Sequence, residues 1–195
     1  MQTHTLDESP AASPNGWLKR YYFARFTVSA AWVALALTVA RSAPTLAAVM
    51  LVAYPAWDAA ANYVDARRSG GLLRNRSQML NVAVSVITTI AVTSALAVGM
   101  NAVLVVFGVW ATLSGLFQLA TGVRRWTSHG AQWAMILSGA QSALAGGFFI
   151  KMAVGPMVPS IADVAPYAAF GAFYFLVSAV WLTVSDARSA PARAG

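Results

Sequence analysis

The sequence predicts an all-α integral membrane protein of six transmembrane helices, arranged as three helical hairpins that repeat in parallel. Hydrophobic residues make up 58% of the 195 residues and charged residues only 10%, whereas about a quarter of the residues in soluble domains are charged. In addition, long apolar runs alternate with short polar connectors along the chain. These two observations place most of the chain in lipid.

Length and polarity divide the chain into three parts. Residues 1–18 are polar and are predicted to form a disordered cytoplasmic tail, because they cannot bury enough apolar surface to become ordered. The transmembrane domain is predicted over 19–188 and a short cytoplasmic tail over 189–195. A run of about 20 residues crosses a hydrocarbon core of about 30 Å. The predicted spans are 22–40, 45–64, 79–99, 102–123, 131–150 and 166–184.

Local signals separate these spans. Pro44 suits the first turn of a helix, where its missing N–H costs nothing, so it marks the start of the second span. Met100-Asn101 leaves room only for a very short turn between the third and fourth spans. The longest internal connector, 154–166, contains three prolines and is predicted to be an outward-facing loop.

Basic residues determine the predicted orientation. Of the 13 lysines and arginines, all except Arg41 and Lys151 fall on one side when six spans alternate. An excess of lysine and arginine in short loops marks the cytoplasmic side. We therefore expect a multi-pass protein of the bacterial inner (cytoplasmic) membrane with both termini in the cytoplasm. Because topology accounts for the positive charge, no nucleic-acid partner is predicted.

A short internal repeat supports the hairpin arrangement. Asp65-Ala66-Arg67 closes the second run and returns as Asp186-Ala187-Arg188 after the sixth, while Val123-Arg124-Arg125 closes the fourth. Each repeat is then a helix pair that leaves and re-enters the cytoplasmic side. Many secondary transporters have inverted repeats instead, so a parallel repeat argues against a transporter without excluding one.

Asp58 is the acid that lies deepest in a predicted span. A charge at the bilayer centre costs about 2.5–3.5 kcal/mol on insertion scales, and such residues usually face the bundle interior. Arg25 lies near the same membrane face on the adjacent helix, and its long side chain can reach Asp58. Two interpretations stay open: a structural ion pair or neutral hydrogen-bonded acid, and a site for transport or proton handling.

Four amides accompany Asp58 inside the predicted spans. Asn62 follows one turn later on the same helix face, and Asn81, Gln118 and Gln141 each lie on a different helix. They can line a polar seam with Asp58, or they can form interhelical hydrogen bonds worth about 0.6 kcal/mol each.

Small residues predict close helix packing. Gly139, Ala143 and Gly147 are spaced four residues apart on the fifth span, and Gly115 lies in a heptad-spaced series on the fourth. Such ridges let two helix backbones approach closely. The ridge either packs within the six-helix bundle or makes a homo-oligomer.

The stretch GVWATLSGLFQLATGVRRWTSHGAQWAMILSGAQSALAGGFFI, residues 108–150, resembles the HdeD-like acid-resistance membrane proteins. The matching positions are Gly115, Arg124, Arg125, Gly139 and Gly147, in a Gly-bearing helix, a basic turn and a second Gly-rich helix. The resemblance implies an inner-membrane protein linked to acid or envelope stress, with no agreed biochemical activity.

Sequence motifs give no support to an enzyme. The chain has no cysteine, which excludes disulfides, thiolate metal sites and cysteine nucleophiles, and it has no P-loop, HExxH or nucleophile elbow. We therefore predict no catalytic residue, cofactor or metal site. The leading hypothesis is a non-enzymatic HdeD-like protein whose predicted partners are the lipid bilayer and, in a homo-oligomer, further copies of the chain. The alternative is a small proton-linked transporter or permease that uses Asp58, with an unidentified small molecule or ion as substrate.

Overall fold

The computed structural model describes residues 16–68, 70–124 and 132–189, and over these residues the protein is helical and has no strand. Two 3-10 turns, Ala40–Ser42 and Leu72–Arg74, lie between helices. The six helices are α1 (Gly16–Leu37), α2 (Pro44–Arg68), α3 (Arg76–Ala95), α4 (Met100–Arg124), α5 (Gln132–Ala153) and α6 (Ile161–Ser189). The predicted all-helical class is thereby confirmed for the described residues.

Each predicted span overlaps one helix, but the boundaries differ. Helix α1 ends at Leu37 and α3 at Ala95, before the predicted ends of their spans. Met100 and Asn101, predicted to form a turn, begin α4 instead. Helix α1 begins at Gly16, so the predicted tail is wrong over 16–18. Helix α6 begins at Ile161, so Pro166 lies inside a helix and not in the loop predicted over 154–166. The rest of the two tails and the basic connector at 125–131 lie outside the described residues.

Three helices, α3, α4 and α6, are long and apolar enough to cross a bilayer within the described part of the chain. Their apolar stretches are Arg76–Ala95, Met100–Ala120 and Ile161–Arg188. These helices indicate a membrane protein. The six-span topology and the orientation of the termini stay predictions.

Local chemistry explains where two of the helices begin. At α6 the Asp163 carboxylate accepts hydrogen bonds from the Ser160 N–H (2.7 Å) and hydroxyl (3.1 Å), and Ser160 Oγ accepts one from the Ala162 N–H (3.2 Å). These contacts form a capping box. Before α4, Gly99 has a φ of 137°, a conformation that residues with a Cβ rarely adopt. The one glycine thus allows the short turn between α3 and α4.

The helices pack as a closed ring. The extensive contacts are those of α4 with α5, α1 with α6 and α2 with α3, followed by α3 with α4. Helices α1 and α2 touch only slightly, and so do α5 and α6. The closely packed pairs therefore differ from the first and third predicted hairpins. A repeat in sequence shows where chain segments recur and not which helices pack against each other.

The two ends of the ring differ. We call the end that carries the first residues of α1 and the α2–α3 connector the basic end, and the other the distal end. The buried apolar core lies toward the distal end, with Leu51, Leu104, Phe107 and Val164 fully enclosed. This core closes the bundle on one side and leaves the other half for polar groups.

Candidate functional site

A cavity of about 800 Å³ occupies the half of the ring toward the basic end. All six helices contribute to its wall, and it reaches Asn75 in the α2–α3 connector and Ser77 in the first turn of α3. Its uncharged polar lining includes Ser29, Asn62, Gln78, Asn81, Ser114, Gln118, Ser138, Gln141, Ser142 and Ser178. A cavity with this many amide and hydroxyl groups can hold water or a polar ligand inside the bundle.

Asp58 lies in the wall of this cavity with both carboxylate oxygens bonded. Arg25 on α1 forms an ion pair with Oδ1. Oδ2 accepts hydrogen bonds from Asn62 Nδ2 at 2.9 Å and from Ser85 Oγ at 2.8 Å. The structure therefore contains an Arg25–Asp58 ion pair, which was one of the interpretations left open by the sequence. The Asp58 contacts join helices α1, α2 and α3 at one point.

Arg25 is held on its other sides by aromatic rings. Its Nη1 donates to the Tyr21 hydroxyl at 3.0 Å, and its guanidinium carbon lies 4.2 Å from the centroid of the Phe175 ring. A guanidinium over a ring face is a cation–π contact, worth about 2 kcal/mol when desolvated. Because Phe175 is on α6, Arg25 also connects the ion pair to the neighbouring helix α6.

An aromatic layer separates the polar cavity from the distal core. Trp110 donates from Nε1 to Ser85 Oγ at 3.1 Å, so it is tied to the Asp58 cluster. Its ring meets Tyr54 at 5.8 Å, Phe107 at 5.7 Å and Tyr167 at 6.0 Å between centroids, all close to edge-to-face. Such pairs prefer edge-to-face geometry at these distances. The layer forms the floor of the cavity.

The remaining predicted amides also line the cavity but differ in their contacts. Gln141 Oε1 accepts a hydrogen bond from the Tyr174 hydroxyl at 3.0 Å. Within the described part of the chain, the side chains of Asn81 and Gln118 have no hydrogen-bond partner in the protein. The predicted polar seam therefore has a bonded part around Asp58 and Gln141, and an open part at Asn81 and Gln118.

Further charges lie near the basic end. Asp65 accepts a hydrogen bond from Gln78, and both line the cavity. Lys19 on α1 and Asp186 on α6 form an ion pair at 2.7 Å. These contacts tie α2 to α3 and α1 to α6 beside the cavity entrance.

Sequence reasoning missed Ser85 and Trp110. Ser85 is 1% exposed and Thr88 5%, and with Asn81 they recur at helical spacing on one face of α3. The sequence shows this spacing as a polar stripe in the uncharged predicted span 79–99. Nothing in the sequence connected Trp110 with Ser85.

The small-residue seam joins α4 to α5. A Cβ added to Gly115 would lie 2.5 Å from the Ala143 nitrogen, and one added to Gly139 would lie 2.8 Å from the Gly115 oxygen. Gly147 has nothing within 4 Å, whereas Gly146 packs against Gly108 and Thr112. Gly147 therefore lies outside the α4–α5 contact, and its use in a contact between copies of the chain stays a prediction. At about 3.6 residues per turn, a step of seven residues from Gly139 stays on the same face, and a step of eight leaves it.

Comparison with known proteins gives one match. Residues 83–151 match the family model described as a short repeat of unknown function, DUF308, which is the domain type found in HdeD-like membrane proteins. Neither the curated proteins nor the solved structures contain a match. The matched segment includes Ser85, Trp110, Gln118, Gln141 and the glycine seam, but neither Arg25 nor Asp58. The chain thus contains a segment similar to the DUF308 short repeat, and its apolar helices are those of a membrane protein of unknown function.

Proposed function

We propose that the protein is a non-enzymatic membrane carrier that takes a polar group of its ligand into the central cavity from the basic end. The observation that carries the proposal is the cavity itself, about 800 Å³ and lined by amides and hydroxyls from all six helices. Pockets of this size suit small-molecule ligands. Burying polar side chains at membrane depth costs free energy, and those that are present usually face the bundle interior or line a pathway.

Asp58 has a structural role in this proposal. Its oxygens are bonded to Arg25, Asn62 and Ser85, so proton exchange would require breaking several contacts at once. The open amides of Asn81 and Gln118 are better placed to meet a ligand. This arrangement favours a carrier without proton coupling over the proton-linked permease.

Cysteine labelling tests the cavity, because the chain has no cysteine of its own. We expect Gln118→Cys to react with a membrane-impermeant thiol reagent, and to react faster from the side on which the basic connectors lie. The rate is measured in inside-out and right-side-out vesicles. The cavity proposal predicts water at this position, since thiolates form and react in water.

Leu116→Cys is the matched control. Leu116 lies two residues away on α4, is 49% exposed on the outside of the bundle and does not line the cavity. It faces hydrocarbon in a bilayer and should stay unlabelled. Equal labelling of the two variants, or none of Gln118→Cys from either side, would contradict the proposal.

A role in acid or envelope stress is a second proposal. It rests on the resemblance of residues 108–150 to the HdeD-like proteins, since the description of the family matched over 83–151 gives no function. We expect a strain that lacks the protein to survive acid exposure less well than the wild type. Survival is measured across external pH with membrane levels of the protein checked. Equal survival of the two strains would remove the support for this role.

A further inference from the structure

The gap between α5 and α6 holds a second depression in the surface. The two helices follow each other in the chain but touch only slightly. Between them lies a groove of about 550 Å³. It is lined by Gln141, Pro166, Ala169, Phe170, Phe173 and Tyr174.

The groove is suited to a hydrocarbon chain. Apart from Gln141 and the Tyr174 hydroxyl, its lining is apolar. Phe170 and Phe173 are 51% and 58% exposed and lie on the outer side of the bundle. Since α6 is one of the helices apolar enough to cross a bilayer, this surface faces acyl chains.

The groove adjoins the polar cavity. Gln141, Phe170 and Tyr174 line both the groove and the cavity. The hydrogen bond from Tyr174 to Gln141, 3.0 Å long, therefore lies at the boundary between an apolar and a polar space. A ligand that bridges the two spaces must have a polar end and an apolar end.

The charged residues that line the cavity restrict which head group a ligand can place there. The charged residues in its described lining are Arg25, Asp58 and Asp65. Arg25 is already paired with Asp58, so an anionic head group finds no uncompensated cation there. Hydroxyl and ammonium groups can instead bond to the open amides and to Asp65.

We propose that the α5–α6 gap is a lateral portal, through which the cavity takes up an amphiphile with one hydrocarbon chain in the groove and a neutral or zwitterionic head group in the cavity. This inference rests on the proposed carrier function and assigns its ligand class. The bilayer supplies the ligand, and the Tyr174–Gln141 hydrogen bond closes the portal when no ligand is bound.

Photo-crosslinking tests the portal. The probes are lysophosphatidylethanolamine, which is zwitterionic, and lysophosphatidylglycerol, which is anionic, each with a diazirine in the acyl chain. The protein is reconstituted in phosphatidylcholine vesicles, irradiated, and mapped by peptide mass spectrometry. We expect the zwitterionic probe to label α5 and α6 peptides at the groove several-fold more than the anionic probe, and unlabelled lysophosphatidylethanolamine to compete.

Ala169→Trp is expected to fill the groove and lower this labelling several-fold. Ala169 is exposed, so the variant should fold, which thermal unfolding checks. Leu144→Trp is the control, because Leu144 is 75% exposed on α5 and lies outside the groove. Even labelling of all lipid-facing surfaces, or unchanged labelling of Ala169→Trp, would overturn the portal.

The outcomes also separate the portal from the carrier proposal. If Gln118→Cys is water-accessible but the groove shows no specific labelling, the portal fails and the cavity stands. If Gln118→Cys is inaccessible and the groove is unlabelled, both fail. Competition in the wild type tests the portal even if the tryptophan variant does not fold.

Discussion

At the scale of single residues, the Asp58 cluster combines charge pairing with hydrogen bonds from three helices. The side chains of Arg25 and Asp58 are only 12% and 20% exposed. Removing one partner of a buried ion pair leaves an uncompensated charge and costs about 3–5 kcal/mol, while replacing both by apolar residues is often neutral. The stability that each residue contributes therefore depends on the presence of the other.

We expect Arg25→Leu and Asp58→Leu each to lower the free energy of unfolding by about 3–5 kcal/mol, and the double variant to lose much less than the sum. Unfolding of the purified protein in detergent measures all four forms of the double-mutant cycle. Additive losses would mean that the two side chains do not interact.

Ser85→Ala removes the donor to Asp58 Oδ2 and the acceptor for Trp110. Leaving buried polar groups unsatisfied costs about 1–3 kcal/mol, so the variant should unfold more readily than the wild type. Ser94→Ala on the same helix is the control, because Ser94 is exposed and its hydroxyl donates to the Ile90 carbonyl of its own helix. Equal effects of the two substitutions would argue against a structural Ser85.

At the scale of helices, the close packing of α4 against α5 depends on which positions are glycine, because glycine has no Cβ. Gly115 and Gly139 face each other across the seam, and Gly147 faces away from it. The two kinds of glycine should therefore respond in opposite ways to the same substitution.

Gly115→Ala should destabilise the bundle by about 1–3 kcal/mol, the usual cost of overpacking, because its Cβ would meet backbone atoms at 2.5 Å. Gly147→Ala has open space and should be neutral or stabilising by up to about 1 kcal/mol, since alanine favours helix over glycine. Detergent unfolding compares them. A loss as large at Gly147 as at Gly115 would contradict the seam.

The sequence predicted much of this element-level structure. Apolar runs located each helix because hydropathy depends only on local composition, and Asp58 and Arg25 stood out because charges are rare in such runs. The partners of Asp58 on α3 and the choice of Gly146 over Gly147 depend on how the helices are rotated against each other. That rotation is set by packing between distant segments, so single-helix patterns leave it undetermined.

At the scale of the whole molecule, the ring is polar inside at one end and apolar at the other. The buried apolar residues lie toward the distal end, and the polar-lined cavity lies toward the basic end. This asymmetry could not be predicted from the spans, because every span contributes residues to both halves. It follows only from the way in which the six helices meet.

The closure of α1 against α6 has a consequence for biosynthesis. The first described helix finds its main partner in the last one, and Phe175, which covers Arg25, belongs to that last helix. Until α6 leaves the ribosome, the nascent chain exposes an arginine and a row of amides at the edge of an incomplete ring. The membrane insertion machinery must shelter this edge, so truncation before α6 should direct the chain to proteolysis, whereas the finished ring is protected.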